Sequence, residues 1–405
     1  MKITISHPHG NPNSYHAAKA LSEVRWLRSF EQGIASRGVV SMLADKLPVD
    51  ADKRLRNRKF EDIPEAKQRP HILWETISRL GQKLKPAGLT PKVNWYDVLF
   101  CGHDLQVSRE LEHDLDAIYA YEDGAKWTFT AAKRRNARAV YELPLGYYAG
   151  VASELSRAKK ERPSLPFDIK VEPQWKQQRK NVELELADLI VVPCGWAAES
   201  LRFSQTLGKK PTIKIPYGTP ADEIPARTHR PDGPFTILFA GQIGLRKGVP
   251  HLLEAWQKLN LKDARLWLAG GMHLGSDYLI ETSESFEHLG ALPRVRLLEV
   301  MQQADLFVFP SLAEGFGLVI GEAMAAGVPV LTTMNTGGPE LITNGREGWC
   351  VAAHDVDALT ERIEWAFRHR DELFEMGKLA RRRAAQWTWA NYRRKLIDEL
   401  SRHLG

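Results

Sequence analysis

The segment from Pro310 to Val330 constrains the fold of this chain more than any other. Its pattern predicts the end of a strand, a glycine-rich turn, a short helix and the start of another strand. Gly315 and Gly317 would let the backbone approach a ligand, because neither has a Cβ atom. A helix N-terminus presents unpaired N–H groups and the positive end of the dipole, which suit a phosphate. Glu314 and Glu322 flank this cradle, so the first hypothesis is a ligand with hydroxyls near its phosphates, a sugar nucleotide.

Strand-like apolar runs alternate with helical patterns along both halves of the chain. Helices are predicted at about 15–37, 69–85, 248–259, 356–368, 371–385 and 387–403, and the charged segment 156–166 is predicted to be a loop. Strands are predicted at 3–6, 39–43, 98–101, 117–121, 139–141 and 189–192, then at 236–240, 265–269, 306–309 and 330–332. Strands separated by helices imply parallel sheets. The expected fold class is α/β, with two Rossmann-like doubly wound domains facing each other across a cleft.

Length and composition agree with two domains. A chain of 405 residues exceeds the usual limit of a single core, and prolines and glycines cluster at 215–234, where we place the linker. The expected boundaries are 1–218, 219–386 and a final helix, 387–405, that packs back on the first domain. Three widely spaced cysteines fit a reducing compartment and argue against a disulfide framework or a zinc site. The N-terminus does not resemble a signal peptide, and a cytoplasmic location is expected.

Positive charge is concentrated between residues 53 and 85, where ten Lys/Arg stand against four Asp/Glu. One interpretation is a solvated surface loop, and the other is a site for anionic lipid head groups, nucleic acid or an anionic acceptor. The predicted helix 69–85 has Leu73, Ile77, Leu80 and Leu84 at helical spacing beside a basic side. Packing on the sheet is favoured, and peripheral contact with the inner membrane face is the alternative. Nucleic-acid binding is not expected, because no aromatic residues are interleaved with the basic stretch.

A second candidate motif, Gly241 to Gly248, follows a predicted strand and precedes a helix. Arg246 and Lys247 therefore lie in a loop at the ligand-binding edge of the second sheet, where they could neutralise a diphosphate. A basic pair alone indicates only a solvated surface, but its occurrence beside the glutamate motif favours a ligand. For the two glutamates the alternatives are helix capping and an ordinary surface carboxylate. Glu322, one turn inside its helix among apolar neighbours, is costly there unless it is paired.

These motifs together resemble family 4 of the retaining glycosyltransferases, which have the two-Rossmann-domain GT-B fold. The resemblance covers nearly the whole chain, strongly in the second half and loosely in the first. The glutamate motif matches through Pro310-Ser311, Glu314-Gly315-Phe316-Gly317, Glu322-Ala323-Met324-Ala325 and Gly327-x-Pro329-Val330. Further matches are 187–193, Ile215-Pro216-Tyr217-Gly218, Lys247-Gly248, Gly337-Gly338-x-Glu340 and Trp387-x-Trp389-x3-Arg393.

The resemblance implies a role for each matching residue. Glu314, Lys247 and Arg246 would be catalytic: the carboxylate would bind sugar hydroxyls near the anomeric carbon, and the cations would stabilise the departing diphosphate. Glu322 would hold the ribose diol, the base would stack near 288–292, and no metal or other cofactor would be needed. The first domain would bind the acceptor and the second the donor. The remaining donor-binding residues expected are Gly10, Gly241, Leu292, Gly315, Phe316, Gly317, Leu318 and Val319.

Two departures from the family pattern concern the catalytic details. Gln242 follows Gly241 where the family usually has arginine, so Arg246 would supply that charge. The family often has a His-Asp pair after a strand of the first domain, but residues 139–144 contain no histidine. That role is either absent or taken by Tyr141 or Glu142. Weaker candidates for it are the histidines near predicted strand ends, His7, His9, His16 and His103.

The leading functional hypothesis is a retaining transferase that moves a hexose from a nucleotide-diphosphate sugar to a hydroxyl acceptor. The acceptor would be a saccharide, a lipid or a small molecule. A second hypothesis is a catalytically impaired subunit that only binds sugar nucleotides, which the missing His-Asp pair favours and the intact Glu314, Glu322 and Lys247 argue against. A third is a sugar-nucleotide epimerase or a phosphorylase of related fold, although no motif for pyridoxal phosphate supports the latter.

Overall fold

A computed structural model describes residues 1–33, 60–84, 93–163, 172–206, 208, 210–225, 227–274 and 286–405. Two parallel sheets with helices on both faces organise the chain, so the predicted α/β class with two Rossmann-like domains is confirmed. The predicted strand at 39–43 and the basic stretch 53–59 lie outside the described residues. We call the parts built on the two sheets the N-domain and the C-domain.

The sheet of the N-domain has seven strands in the order β3-β2-β1-β4-β5-β6-β7. Every pair is parallel, for example Ile5 beside Phe30 and beside Tyr119. The strands are β1 (Ile3–His7), β2 (Leu27–Gln32), β3 (Gln68–Pro70), β4 (Ala117–Tyr121), β5 (Arg138–Glu142), β6 (Leu189–Val192) and β7 (Thr212–Lys214). The helices are α1 (Pro12–Glu23), α2 (Ile72–Leu84), α3 (Trp95–Glu110), α4 (Lys126–Lys133), α5 (Tyr148–Glu161), α6 (Gln174–Leu186) and α7 (Gly195–Ser200).

The sheet of the C-domain has six parallel strands in the order β10-β9-β8-β11-β12-β13. The strands are β8 (Phe235–Ala240), β9 (Ala264–Ala269), β10 (Glu287–Gly290), β11 (Leu306–Phe309), β12 (Val330–Thr333) and β13 (Gly348–Val351). The helices are α8 (Val249–Leu259), α9 (Arg294–Gln303), α10 (Leu318–Ala325), α11 (Gly338–Leu341), α12 (Val356–Arg368), α13 (Arg370–Gln386) and α14 (Trp389–Leu404). The central strands β8, β11 and β12 are buried along their whole length, as expected for strands covered by helices on both faces.

Three predicted elements of the N-domain are wrong. Residues 98–101 lie inside α3, which begins at Trp95. The Asn94 side chain caps this helix by accepting from the Tyr96 N–H. The predicted helix 15–37 ends at Glu23: Arg25 adopts a φ of +62° and β2 begins at Leu27. The predicted loop 156–166 is helical as far as Glu161. A short apolar run cannot by itself distinguish a strand from a helix, which explains the first of these errors.

Helix α2 buries its polar side rather than the apolar side that the sequence pattern predicts to be buried. Its buried residues are Glu75, Ser78 and Gly81, and it packs on α3, where the Ser78 hydroxyl donates to the Trp95 carbonyl at 2.7 Å. Its apolar row is exposed instead: Leu73 by 58%, Leu80 by 54% and Leu84 by 43%. The expectation that this row packs on the sheet is therefore wrong. No helix in the described ranges combines the length and apolar character needed to cross a membrane.

Helix α14 returns to the N-domain and contacts α1. The Arg393 guanidinium donates to the Glu23 carboxylate at 3.1 Å, and the rings of Trp389 and His16 stack with their centroids 4.1 Å apart. The Thr219 N–H, near the expected linker, donates to the Trp387 carbonyl at 2.7 Å. The expected boundaries at 218 and 386 stay predictions, since these contacts join the segments on either side of them.

Candidate functional site

A cavity of about 620 Å³ lies between the carboxyl ends of the two sheets. This size is in the range of pockets that hold a small molecule or cofactor. Residues that follow β1, β5, β8, β9, β10 and β11 contribute to its wall, as doubly wound folds position ligands beyond the strand ends. Most of the predicted site residues lie together here: Gly241, Arg246, Lys247, Leu292, Glu314, Phe316, Gly317, Leu318, Val319 and Glu322.

Two predicted donor-binding glycines, Gly10 and Gly315, do not lie on the wall of this cavity. The Gly10 N–H donates to His7 Nδ1 at 3.2 Å, and its neighbour Asn11 lines the cavity instead. Gly315 lies between the domains, and its carbonyl accepts from Cys194 Sγ at 2.6 Å. A Cβ atom on Gly315 would lie 1.6 Å from the Pro144 carbonyl oxygen of the N-domain. Gly315 therefore permits a close approach of the two domains rather than a close approach to a ligand.

Glu314 forms the electrostatic centre of the cavity. It is 7% exposed, its carboxylate is bonded to Lys247 Nζ, and Arg246 Nη1 lies 3.5 Å from the same oxygen. Burial raises the pKa of the Glu314 carboxyl, but Lys247 and Arg246 outweigh burial and the pKa lies below its ordinary value. Burial lowers the pKa of Lys247, the charge of Arg246 adds to this effect, and Glu314 offsets only part of it. Two cations and one carboxylate share this wall, which leaves net positive charge for an anionic ligand.

The backbone fixes the two cations in place. Arg246 and Lys247 lie in a 3-10 turn, Leu245–Lys247, between β8 and α8. The Arg246 carbonyl accepts from the Leu312 N–H at 2.9 Å, and Arg246 Nη1 donates to the Ala313 carbonyl at 2.9 Å. The Lys247 ammonium also lies 4.9 Å from the centre of the Phe309 ring. These bonds join the βα loop after β8 to the loop after β11, so both motifs form one wall.

Helix α10 begins at the wall of the cavity, so its N-terminus is accessible from the cavity. Gly317 is the N-cap residue and has a φ of +78°, a conformation that favours glycine. The first residues of the helix, Leu318 and Val319, line the cavity, and N–H groups of a first turn lack partners within the helix. The N-terminal dipole and these N–H groups provide a site for phosphate oxygens.

Glu322 occupies another part of the wall and has a partner that the sequence analysis missed. Arg294, the first residue of α9, donates to the Glu322 carboxylate at 3.2 Å and to Glu223 at 3.1 Å. Burial raises the pKa of Glu322, and Arg294 offsets part of this effect. Only the apolar surroundings of Glu322 indicated that it needs a partner; no spacing in the sequence identifies Arg294.

Apolar residues line the cavity near the predicted base site at 288–292. Ala291, Leu292 and Leu297 contribute to the wall together with Gly270. His288 does not line it; its Nε2 lies 2.9 Å from the Gly270 carbonyl oxygen. This part of the cavity offers an apolar surface for a planar ring.

The N-domain wall consists of Asn11, Asn13, Pro144 and Tyr217. Glu142, a candidate for the absent histidine, lies behind them with no exposure to solvent. It accepts from Tyr119 Oη at 2.6 Å and from Asn13 Nδ2 at 3.1 Å, and it is also bonded to Tyr217 Oη. Burial raises the pKa of Glu142. Glu142 can therefore influence a ligand only through Asn13 and Tyr217.

The other candidates for the absent histidine have structural contacts of their own. Tyr141 points away from Glu142, as expected for the neighbouring residue of a strand, and its ring packs edge-on against Phe129 at 6.2 Å. His103 is buried and its Nε2 lies 3.2 Å from the Ser6 hydroxyl. Histidines 7, 9 and 16 do not line the cavity either. Within the described ranges no group of three or more His, Cys, Asp or Glu could hold a metal ion, and metal independence stays a prediction.

Comparison with known proteins finds a family match within the C-domain. Residues 220–383 match the model of the family "Glycosyl transferases group 1". A D-inositol 3-phosphate glycosyltransferase from Gordonia bronchialis is 37% identical over 242 residues, 55% of this chain and 51% of that protein. A glycogen synthase from Mycobacterium tuberculosis is 32% identical over 157 residues, 37% of this chain and 38% of that protein. The chain spans about half the length, or less, of the curated relatives it matches.

Solved structures match the whole chain. A sucrose-phosphate synthase from Thermosynechococcus elongatus has a TM-score of 0.63 at 16% identity and covers 100% of this chain and 99% of its own. Anabaena HepE in complex with UDP and glucose has a TM-score of 0.63 at 17% identity, with 99% of each chain covered. The C-domain therefore matches the group 1 glycosyl transferases over residues 220–383, and over its whole length the chain has the two-domain GT-B fold.

Proposed function

We propose that this protein is a retaining glycosyltransferase that moves a hexose from a nucleotide-diphosphate sugar to a hydroxyl acceptor. The observation that carries the proposal is the wall shared by Glu314, Lys247 and Arg246 beside the N-terminus of α10. Cations and a helix N-terminus suit a diphosphate, while the carboxylate suits the hydroxyls of the attached sugar. The second carboxylate, Glu322, suits the ribose diol.

The proposed reaction breaks the bond between the anomeric carbon and the diphosphate oxygen. Lys247, Arg246 and the N–H groups of α10 stabilise the negative charge that develops on the leaving diphosphate. The acceptor oxygen forms its bond to the anomeric carbon on the same face, and the acceptor proton passes to the departing phosphate oxygen. No covalent enzyme intermediate is included, and the charge on the diphosphate is balanced without a metal ion.

The nucleotide would lie towards Glu322 and the apolar wall at Leu292 and Leu297. The solved HepE structure contains UDP and glucose, which makes UDP-glucose a reasonable first probe for this chain. The names of the curated relatives include D-inositol 3-phosphate, colanic acid and glycogen but no sugar donor, so the hexose and the base are determined by the experiment below rather than by similarity.

For the acceptor we propose access from an anionic lipid surface through helix α2. Leu73, Leu80 and Leu84 form an exposed apolar row, and Arg79 and Lys83 lie in the adjacent row. The only acidic residue of α2, Glu75, is buried and pairs with Arg79 at 2.6 Å, so Lys83 leaves the helix with a net positive charge and no exposed carboxylate. An interfacial helix of this kind inserts its apolar row at the head-group boundary and binds anionic lipids through its cations.

Vesicle sedimentation tests this membrane contact. The protein is expected to bind vesicles that contain phosphatidylglycerol more strongly than vesicles of phosphatidylcholine alone. The double variant Leu73→Ser/Leu80→Ser should lose this binding, whereas Val24→Ser/Phe203→Ser, which changes exposed apolar residues elsewhere, should keep it. Equal binding by both double variants, or no preference for the anionic lipid, contradicts the proposal.

The transferase reaction is tested by slow hydrolysis of the donor. Wild-type protein is incubated with UDP-, GDP- and ADP-sugars, with lipid and saccharide acceptors in parallel reactions, and release of the nucleoside diphosphate is followed. At least one donor should be turned over, and Glu314→Ala and Lys247→Ala should reduce the rate by roughly 100-fold or more. A wild type that binds donors but never turns them over supports the alternative, a subunit that only binds sugar nucleotides.

A further inference from the structure

Two side chains of the N-domain wall, Asn13 and Tyr217, form one hydrogen-bonded set with Glu142 behind them. Glu142, the last residue of β5, is completely buried. Asn13 lies in the first turn of α1, and Tyr217 follows β7 in the segment that leads to the C-domain. Asn13 Nδ2 donates to Glu142 at 3.1 Å and lies 3.0 Å from Tyr217 Oη. Both Asn13 and Tyr217 line the cavity, whereas Glu142 does not.

The partners of Asn13 determine which atom its amide offers to a ligand. An ionised carboxylate can only accept hydrogen bonds, so the amide nitrogen must face Glu142 and the oxygen must face away. The two contacts of Nδ2 use both hydrogens of the nitrogen. The remaining group is Oδ1, which can only accept. A hydroxyl group of a ligand is the complementary donor.

Tyr217 connects this set to the glutamate motif of the C-domain. Its ring packs edge-on against Phe316 with the centroids 5.4 Å apart, and Phe316 lies two residues after Glu314. On its other side it contacts Trp389 and Tyr392 of α14, at 6.2 Å and 5.9 Å. Tyr217, and the Asn13 amide bonded to it, therefore lie beside the loop that carries Glu314, where the proposed function puts the hexose.

We propose that Glu142 is a positioning residue that orients the Asn13 amide, so that Asn13 Oδ1 accepts a hydrogen bond from a hydroxyl group of the donor hexose. Asn13 is then a specificity residue for the sugar, and Glu142 acts only through Asn13 and Tyr217. This inference rests on the proposed function, since it assigns a part of the same cavity. In the family pattern a histidine at this position touches the donor. In this protein Glu142 is a buried carboxylate that orients neutral side chains and does not touch the donor itself.

Glu142→Met tests this role because it keeps the approximate length of the side chain and removes both carboxylate oxygens. Asn13 Nδ2 and Tyr217 Oη both bond to Oε1 of Glu142, so the substitution removes the acceptor that fixes the orientation of the Asn13 amide. Tyr119→Phe is the matched control, since it removes a different bond to the same carboxylate without changing a residue of the cavity wall. Asn13→Ala removes the proposed acceptor itself.

Titration calorimetry with UDP and with UDP-glucose supplies the measurement. Glu142→Met and Asn13→Ala should each weaken the binding of UDP-glucose by about tenfold and that of UDP by less than about twofold, because only the former contains the hexose. Tyr119→Phe should change neither by more than about twofold. Circular dichroism melting curves verify that the variants are folded.

Each other result overturns the inference. Equal losses for UDP and UDP-glucose, or the same loss in Tyr119→Phe, would assign Glu142 a purely structural role. Wild-type affinity for UDP-glucose in Asn13→Ala would exclude an Asn13 contact with the hexose. Failure of the wild-type protein to bind either compound, together with the other nucleotide sugars, would overturn the proposed function and this inference with it.

Discussion

Glu314 and Lys247 form a buried ion pair on the wall of the interdomain cavity, although they lie on loops that follow different strands. The side chains of these two residues are only 9% and 13% exposed. In the free protein the Lys247 ammonium is neutralised by Glu314. An anionic ligand would bind the same ammonium group as Glu314. Substitution of Lys247 should therefore affect both the stability of the protein and ligand binding.

Lys247→Met should destabilise the protein by about 3 kcal/mol at neutral pH, because it leaves the Glu314 charge buried with only Arg246 nearby. Lys378→Met, which removes an exposed pair with Glu375, should cost less than about 1 kcal/mol. Urea denaturation gives both values. Equal losses of stability in the two variants would show that burial does not increase the contribution of the Lys247–Glu314 pair to stability.

The same variant should reverse the pH dependence that Glu314 contributes. In the wild type the pKa of Glu314 lies below its ordinary value of 4.5, so its contribution to stability is complete above that value and is lost as the pH falls through the lower pKa of the folded state. In Lys247→Met burial dominates and raises the pKa of Glu314, so acidification should stabilise the variant relative to the wild type. A stability difference that does not change with pH would contradict this account of the pair.

Binding of a nucleoside diphosphate should weaken as the pH falls from neutral towards 4.5, because burial raises the pKa of Glu322 and the protonated carboxyl is a poorer acceptor for a ribose diol. Glu322→Gln should bind more weakly at neutral pH and lose this component of the pH dependence. Calorimetric titration of UDP across the pH range gives both curves. Parallel curves for the wild type and the variant would show that Glu322 does not contact the ligand.

Arg294→Gln should reduce the affinity for UDP by about tenfold, since Glu322 then loses its charged partner and its pKa rises further. Arg296→Gln, on the same helix, is the matched control: Arg296 pairs with Glu299 at 2.6 Å and does not line the cavity. Fluorescence or calorimetric titration compares the two. The same affinity in both variants would leave Arg294 without a role at the site.

Gly315→Ala should hinder the approach of the two domains, because its Cβ would lie 1.6 Å from the Pro144 carbonyl oxygen. Donor hydrolysis is expected to fall by at least about tenfold while UDP binding, which the C-domain provides, falls much less. Gly271→Ala is the control, since the nearest atom to its Cβ is a His273 side-chain atom at 3.6 Å. Equal hydrolysis by the two variants would contradict a closed arrangement as the active one.

The C-domain and its part of the site could be predicted from the sequence because the signals are local. A strand followed by Gly315, Phe316 and Gly317 and then an apolar helix specifies the turn at the cavity, and a similar sequence specifies the loop of Lys247. Parallel strands bring their carboxyl ends to one edge, so two such loops must meet. Their mutual position follows from topology without any knowledge of side-chain contacts.

The N-domain wall and the partners of the glutamates could not be predicted, because they depend on contacts between distant segments. Asn13, Glu142 and Tyr217 are separated by more than 70 residues from each other, and no periodic pattern relates them. Arg294 pairs with Glu322 only because α9 and α10 are neighbours in the fold. Helix α2 shows a further limit: its apolar spacing is clear in the sequence, but periodicity does not reveal whether the apolar row faces the protein or the surroundings.

Nucleotide binding in the interdomain cavity is tested most directly by calorimetric titration of the wild-type protein and Glu322→Gln with UDP, GDP and ADP in a buffer containing EDTA. We predict that at least one of the three binds the wild type without a divalent metal, and that Glu322→Gln weakens this binding by about tenfold or more. If none of the three binds the wild type, the interdomain cavity is not a nucleotide site of the proposed kind. If binding occurs but Glu322→Gln is unaffected, the nucleotide does not lie where the two glutamates would hold it.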